Sequence, residues 1–122
     1  MLDLRNKGLS DISAKLWLYD QIVTIDLSQN TLSELPEEFI QLKNLKNLRV
    51  QNSFLKRLPM SLLQMQSLQS IELANNQLTS FYTECGNMRR EQVNMPNLTY
   101  LSLNGNSLTQ IPTVLRYLPK LL

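Results

Sequence analysis

The chain repeats one pattern of apolar and polar residues along most of its length. In each full copy an apolar residue precedes, by three positions, an apolar–polar–apolar triplet such as Ile25-Asp26-Leu27. This alternation predicts a short strand that buries its outer side chains and exposes the middle one. The next copy begins 23 residues later, where Leu45 takes the place of Ile22. The copies in register are 2–9, which is partial, 22–32, 45–55, 68–78 and 98–108.

Each full copy follows the form L-x-x-L-x-L-x-x-N-x-L, and in this respect the chain resembles the leucine-rich repeat family. The segments 35–42, 58–65 and 111–118 carry an L-P-x-x-L-x-x-L ending. That ending is similar to the intracellular 23-residue class of Ras-associated and Scribble-like repeat proteins. The resemblance implies an α/β solenoid, a short curved arc with parallel strands on its concave face and short helical or 3₁₀ turns on its convex face.

A single coil of this pattern is not expected to be stable alone. Burial of about seven apolar side chains contributes roughly 1.5 to 3 kcal/mol each, whereas ordering a coil costs about 1.5 kcal/mol per residue. Stability therefore comes from contacts between stacked coils, which predicts a single domain over 1–122. The predicted repeats are a partial one at 1–21, then 22–44, 45–67, 68–97 with an insertion at about 82–91, and 98–120, with 121–122 starting a truncated further repeat.

The turn after each strand carries a polar column that, by resemblance, points inward to the backbone of neighbouring coils. An asparagine amide both donates and accepts hydrogen bonds, so it can satisfy buried backbone groups. We therefore assign Asn30, Asn76 and Asn106 a structural role. Ser53 can satisfy fewer bonds, and Lys7 is tolerated because the first coil has an end that faces solvent.

Two features precede the strands. Pro36 is expected at the first position of a helical turn, followed by two acids that suit the start of a helix. Trp17 and Tyr19 occupy positions that hold Ile40 and Leu42 in the next coil. They either fill the core and seal the first coil, or they form a partner site.

The exposed strand positions form the surface on which members of this family usually bind partners. Parallel strands lie about 4.8 Å apart, so equivalent residues line up in columns. The central column is Asp3, Asp26, Arg49, Glu72 and Ser102; the preceding column is Thr24, Asn47, Ser70 and Tyr100; the following column is Arg5, Ser28, Gln51, Ala74 and Asn104.

We predict that this surface binds a partner protein or an extended peptide, because exposed arginine and tyrosine are frequent at binding hot spots. The alternative is a solvated sheet in which Arg49 pairs sideways with Asp26 and Glu72, where exposed ion pairs contribute about 0 to 1 kcal/mol. The predicted partner-binding residues are Asp26, Arg49, Gln51, Glu72, Tyr100, Ser102 and Asn104.

The fourth copy is lengthened, since Leu98 follows Leu68 by 30 residues instead of 23. The extra residues fall at about 82–91. They form either a neutral bulge, which solenoids tolerate at low cost, or a docking loop held by a rigid scaffold. The anchors of such a docking loop would be Met88, Arg89 and Arg90.

Charge and composition narrow the cellular setting. The net charge is +2, but residues 1–42 hold seven acids and three bases, whereas residues 43–122 hold three acids and nine bases. The single Cys85 allows no disulfide within the chain, and neither a leader nor an apolar run of about twenty residues is found. We predict a cytoplasmic protein that does not insert into membranes. The charge asymmetry permits end-to-end self-association at uncapped ends.

The residue types present disfavour catalysis. The chain has no histidine, so neither a Ser-His-Asp nor a Cys-His arrangement can form. It has one cysteine, no clustered acidic loop and only three glycines, so we predict no catalytic residue, metal or cofactor. The bases from Lys43 to Arg57 spread over different faces, which disfavours nucleic acid. The alternative to an interaction module is a regulatory or substrate-recruiting fragment of a larger signalling enzyme.

Overall fold

The computed structural model describes residues 2–12, 16, 18–19, 21–58, 60–79 and 94–107. Five strands in these residues form one parallel sheet whose spatial order follows the chain. Each strand belongs to a successive coil, so the chain forms the predicted α/β solenoid. The strands are β1 (Leu2–Asp3), β2 (Thr24–Asp26), β3 (Asn47–Arg49), β4 (Ser70–Glu72) and β5 (Tyr100–Ser102).

The register of the sheet follows the spacing of the repeats. Ile25 pairs with Leu48, and Leu48 pairs with Ile71, each at an offset of one 23-residue repeat. Between β4 and β5, Ile71 pairs with Leu101 at an offset of 30 residues. The sheet therefore continues in register past the lengthened repeat.

The core lies behind the sheet and is built from the outer residues of each alternating triplet. Ile25 and Leu27 are both fully buried in this core, and Asp26, which lies between them, is on the opposite side of the sheet. The remaining fully buried core residues extend this arrangement through the coils: Leu32, Phe39, Leu42, Leu45, Leu48, Val50, Leu55, Leu58, Leu62, Leu63, Leu68, Ile71, Leu73, Leu78 and Leu98.

The convex side contains 3₁₀ helices at Glu37–Gln41 and Met60–Gln64, which lie against each other. The sequence predicts Pro36 as the first helical residue, but this is wrong. Pro36 precedes the helix and is extended, with φ −74° and ψ 155°. Its carbonyl oxygen accepts the N–H of Phe39 at 3.3 Å. The proline therefore caps the turn from outside, at a position where its missing N–H costs nothing.

The polar column joins adjacent coils through the backbone. Asn30 Nδ2 donates to the carbonyl oxygens of Leu4 at 2.9 Å and Leu27 at 2.8 Å, which belong to two different coils. Asn30 Oδ1 accepts the N–H groups of Lys7 and Leu9, both at 3.0 Å. One buried amide thus satisfies four backbone groups that have no hydrogen-bond partner in the described part of the sheet.

Asn76 and Asn106 repeat this arrangement in their own coils. Asn106 Nδ2, for example, donates to Leu73 O at 2.9 Å across the coil boundary. Ser53 Oγ donates to Asn30 O at 2.9 Å. A hydroxyl has a single hydrogen to donate, so Ser53 cannot bridge two carbonyl groups as an amide does.

The residue before each position of the polar column has a left-handed backbone. Asparagine and glycine tolerate this region better than other residues do, whereas a longer side chain such as that of Gln29 is strained there. The φ values range from 54° to 74° at Asn6, Gln29, Asn52, Asn75 and Gly105.

We expect Gln29→Asn to raise the free energy of unfolding by about 0.5 to 1 kcal/mol, because asparagine tolerates the left-handed backbone at lower cost. Urea denaturation measures the change. Gln77→Asn is the control, since Gln77 is exposed and its φ is not positive; it should change stability by less than about 0.5 kcal/mol. A loss of stability in Gln29→Asn alone would contradict the strain argument.

Tyr19 does not fill the core, because its side chain is 63% exposed. The residue at the matching position of the next coil, Leu42, is fully buried between coils. The first coil packs against one neighbouring coil only within the described residues, and Leu16 supplies its buried side chain on this side. The core-filling interpretation is therefore wrong for Tyr19, and Trp17 lies outside the described residues.

The insertion at 82–91 also lies outside the described residues. The docking-loop interpretation stays a prediction for its candidate anchors, which are Met88, Arg89 and Arg90.

Candidate concave binding face

The exposed face of the sheet carries the columns of side chains that the repeat pattern predicts; we call this surface the concave face and define it by Thr24, Asp26, Ser28 and their equivalents. The register places Asp26 directly between Asp3 and Arg49. Beyond Arg49 the same column continues to Glu72 and then to Ser102. The preceding column runs through Thr24, Asn47, Ser70 and Tyr100.

Two short ion pairs lie on this face. Arg49 Nε is 2.6 Å from Glu72 Oε2, and the Arg49 side chain is 48% exposed whereas that of Glu72 is 21% exposed. In the first coil, Arg5 Nη2 donates to Asp3 Oδ2 at 2.8 Å and Arg5 Nε donates to Asp3 Oδ1 at 3.0 Å. In the first of these pairs the guanidinium is more exposed than its carboxylate, so it presents N–H donors to a partner.

The pKa of Asp3 reflects this environment. Hydrogen bonds from the Arg5 side chain, reinforced by the Arg5 backbone N–H at 3.0 Å, lower the pKa of Asp3 to about 2. The carboxylate is therefore ionised throughout the physiological pH range, and the Asp3–Arg5 pair keeps its charges there.

Asp26 departs from the exposed position that the sequence predicts, because the residue is only 4% exposed. Its Oδ1 accepts the N–H of Ser28 at 3.0 Å, and its Oδ2 is 3.8 Å from Arg5 Nε. The short side chain folds back onto its own strand, and the longer Arg5 and Arg49 side chains line the same cavity. The predicted sideways pairing of Arg49 is thus found toward Glu72 and not toward Asp26.

A shallow cavity of about 320 Å³ opens on the concave face over the first coils. Its walls contain both donors and acceptors, and most of its surface is polar. Such a lining suits peptide groups and polar side chains better than lipid or an apolar ligand. The lining includes Arg5, Asp26, Ser28, Arg49, Gln51 and Glu72.

The far end of the concave face has a different chemistry. Tyr100 is 51% exposed on β5, and an amphipathic ring in this setting offers both contact area and a hydroxyl. Ser102 Oγ donates to Asn104 Oδ1 at 2.7 Å, which orients the exposed Asn104 amide. The predicted residues Tyr100 and Asn104 are therefore exposed at this end of the face, and the half-buried Ser102 between them pairs with Glu72 of the cavity.

Four cavity residues lie outside the predicted binding set, namely Arg5, Ser28, Gln29 and Asn52, and Arg5 is the charged one among them. The column alignment places it beside Ser28, but alignment alone does not show that its side chain bends toward Asp3 and Asp26. The signal in the sequence is the Asp-x-Arg order of Asp3 and Arg5, which brings the two side chains together on one face of a strand.

Within the described ranges, no group of three or more potential metal-ligating side chains is present. In the same ranges, no helix has the length and apolar character needed to cross a bilayer.

Comparison with known proteins agrees with the fold. The model of the Leucine Rich Repeat family matches residues 21–42 and 97–118. A leucine-rich repeat protein of Leptospira interrogans superposes with a TM-score of 0.70 and 29% sequence identity, covering 98% of this chain and 35% of that protein. The chain therefore contains leucine-rich repeats and has the fold of a leucine-rich repeat solenoid.

One curated relative is an enzyme subunit. Over 49 residues the chain is 47% identical to the 3'-5'-exoribonuclease subunit Ccr4 of the CCR4-Not complex of Saccharomyces cerevisiae. The match covers 40% of this chain and 6% of the yeast subunit. The chain therefore corresponds to a small part of that relative and to about a third of the Leptospira protein.

Proposed function

We propose that the chain is a protein interaction module that binds a partner protein or an extended peptide segment across the concave face. The observation that carries this proposal is the continuous row from the cavity near Arg49 to the exposed Tyr100. Arginine and tyrosine are enriched at binding hot spots, and repeat proteins typically use extended surfaces of this kind. The mixed donors and acceptors of the cavity favour a polar partner surface.

The proposed binding mode uses different residues for different tasks. Arg49 keeps Nη donors available after its Nε is engaged by Glu72, so it is suited to partner carbonyl or carboxylate groups. Gln51 and Asn104 carry amides that both donate and accept. Tyr100 provides apolar contact area at the edge of the face. Asp26 contributes mainly by holding its own strand and Arg5 in place.

The double variant Arg49→Glu, Tyr100→Ala is expected to reduce partner capture at least about tenfold, because one hot spot contributes about 2 kcal/mol or more. The immobilised chain is exposed to a lysate of its native cells, and captured proteins are quantified by mass spectrometry. The partner retained by the unaltered chain should be lost from the variant.

A matched control makes comparable changes away from the concave face, as Lys43→Glu with Phe54→Ala, since both side chains are exposed. Thermal melting of all chains verifies that they remain folded. Arg49→Ala serves as a milder variant, because a glutamate at this position would face Glu72. Equal loss in both double variants, or equal retention, would contradict the concave-face proposal.

The second candidate function is a regulatory or substrate-recruiting part of a larger enzyme. The stretch that is 47% identical to the yeast exoribonuclease subunit favours it. The size of the native gene product distinguishes the two, since an enzyme would add a further domain to these repeats. Under either candidate we propose action in the cytoplasm, in keeping with a chain that has one cysteine.

A further inference from the structure

The concave face ends in an asparagine–glycine pair. Asn104 occupies the following column beside Ala74, is exposed, and directly precedes Gly105. Asparagine followed by glycine is the pair in which the next backbone nitrogen can most easily approach the side-chain carbonyl carbon, because glycine has no side chain to obstruct it. The question is whether this fold hinders or permits that approach.

The fold favours glycine at position 105. Its φ is +74°, and an added Cβ would collide with Asn75 Oδ1 and lie 3.1 Å from the backbone N of Asn75. The backbone nitrogen of Asn75 itself donates to Asn104 O at 2.9 Å, so this approach between coils is part of the sheet ladder. A side chain at position 105 would therefore be crowded by Asn75 and strained by the left-handed backbone, which favours the susceptible pair at this turn.

Among the bonds of the described residues, the backbone nitrogen of Gly105 differs from its equivalents in the preceding coils. At the matching position, the N–H groups of Gln29, Asn52 and Asn75 donate to carbonyl oxygens of the next coil at 2.9 to 3.1 Å. For Gly105 N–H, no acceptor is present among residues 2–107 that the structure describes. Within the described residues, no hydrogen bond therefore holds the nitrogen that would attack.

The group that would be attacked is polarised. Ser102 Oγ donates a hydrogen bond to Asn104 Oδ1 at 2.7 Å. A donor at this oxygen draws electron density from Cγ and stabilises the negative charge that develops on the oxygen during attack. The neighbouring Asn106 presents the opposite case, because its amide is bound to backbone carbonyls and the next nitrogen, Ser107 N, donates to Leu78 O at 2.9 Å.

We propose that Asn104 is a spontaneous deamidation site on the concave face. Gly105 N loses its proton to water and bonds to Asn104 Cγ, the Cγ–Nδ2 bond breaks, and ammonia leaves. The resulting succinimide ring adds water at one of its two carbonyl carbons. One opening gives aspartate and the other gives isoaspartate, in which the main chain runs through Cβ and Cγ.

Both products alter the face. Each places a negative charge beside Ser102 and near Glu72, and isoaspartate lengthens the backbone where Asn104 O accepts the N–H of Asn75. The chemistry is independent of any partner, whereas its effect on binding rests on the proposed function. The added charge would weaken the binding of an acidic partner, and the longer backbone would loosen the last described turn.

The test is incubation of the folded chain at mildly alkaline pH, followed by proteolysis and mass spectrometry. Conversion at Asn104 adds about one dalton to its peptide, and isoaspartate separates chromatographically from aspartate. A synthetic peptide of residues 98–108 is the reference. We expect Asn104 in the folded chain to convert at a rate within about tenfold of the peptide and Asn106 to convert far more slowly. A folded-chain rate more than about tenfold below that of the peptide would overturn the proposal.

Two variants test the role of the Ser102 hydroxyl and the effect of the new charge separately. Ser102→Ala should slow conversion severalfold if the hydroxyl polarises the amide, and an unchanged rate would overturn that role. Asn104→Asp imitates the charge without the backbone change. If it alters capture of a partner that the unaltered chain retains, deamidation regulates the site; unchanged capture would overturn the regulation, whereas absence of any captured partner counts against the proposed function instead.

Discussion

Replacement of Phe39 by alanine is expected to lower the free energy of unfolding by about 3 to 5 kcal/mol. Phe39 is fully buried and is one of the largest buried side chains of the described core. The backbone bonds of its 3₁₀ helix would survive the change, since Phe39 N–H donates to Pro36 O and Phe39 O accepts the N–H of Leu42. The loss therefore comes from the cavity left by the ring between coils.

The measurement is urea denaturation followed by circular dichroism, with Phe54→Ala as the matched control. Phe54 is 48% exposed, so its truncation should cost about 1 kcal/mol or less. Similar losses in the two variants would contradict the view that the convex side of each coil is closed by a rigid apolar core.

The pattern of apolar residues predicts the strands because burial of both outer residues in each triplet leaves one orientation of the backbone. Ile25 and Leu27 can both be buried only if the strand passes between core and solvent with Asp26 on the outside. The same reasoning aligned Leu101 with Ile71 across the lengthened repeat, and the sheet has that register. Periodicity thus determines side and register, which are properties of the backbone.

The burial of individual side chains on the exposed side of the sheet, and their ion-pair partners, are less predictable. Asp26 is on the predicted face but buried, because coverage depends on how far Arg5 and Arg49 reach from neighbouring coils. The choice of Glu72 over Asp26 as the partner of Arg49 likewise depends on side-chain geometry that no spacing encodes. Partner binding by these residues remains a prediction for the experiments above.

Asn76→Ala is expected to lower the free energy of unfolding by about 3 kcal/mol, because it leaves buried backbone groups without partners. Asn76 Nδ2 donates to Val50 O at 2.6 Å, and Asn76 Oδ1 accepts the N–H of Leu55 at 3.2 Å. Neither of these two backbone groups has another hydrogen bond within the part of the chain that the structure describes. The other acceptors of the Asn76 amide, Leu73 O and Ala74 O, keep the bonds they receive from other coils.

Asn76→Ala therefore leaves two particular backbone groups without partners, Val50 O and Leu55 N–H. Hydrogen exchange should accelerate at the Leu55 amide in Asn76→Ala, alongside the loss of stability measured in urea. The stability of Asn76→Ser should fall between those of Asn76→Ala and the unaltered chain, since Ser53 occupies the same column with one donated bond. Gln77→Ala, at the adjacent exposed residue, should change stability by less than about 0.5 kcal/mol. If Asn76→Ala kept both its stability and the protection of the Leu55 amide, water would have to replace the amide inside the turn, and apolar packing alone would be sufficient to hold successive coils together.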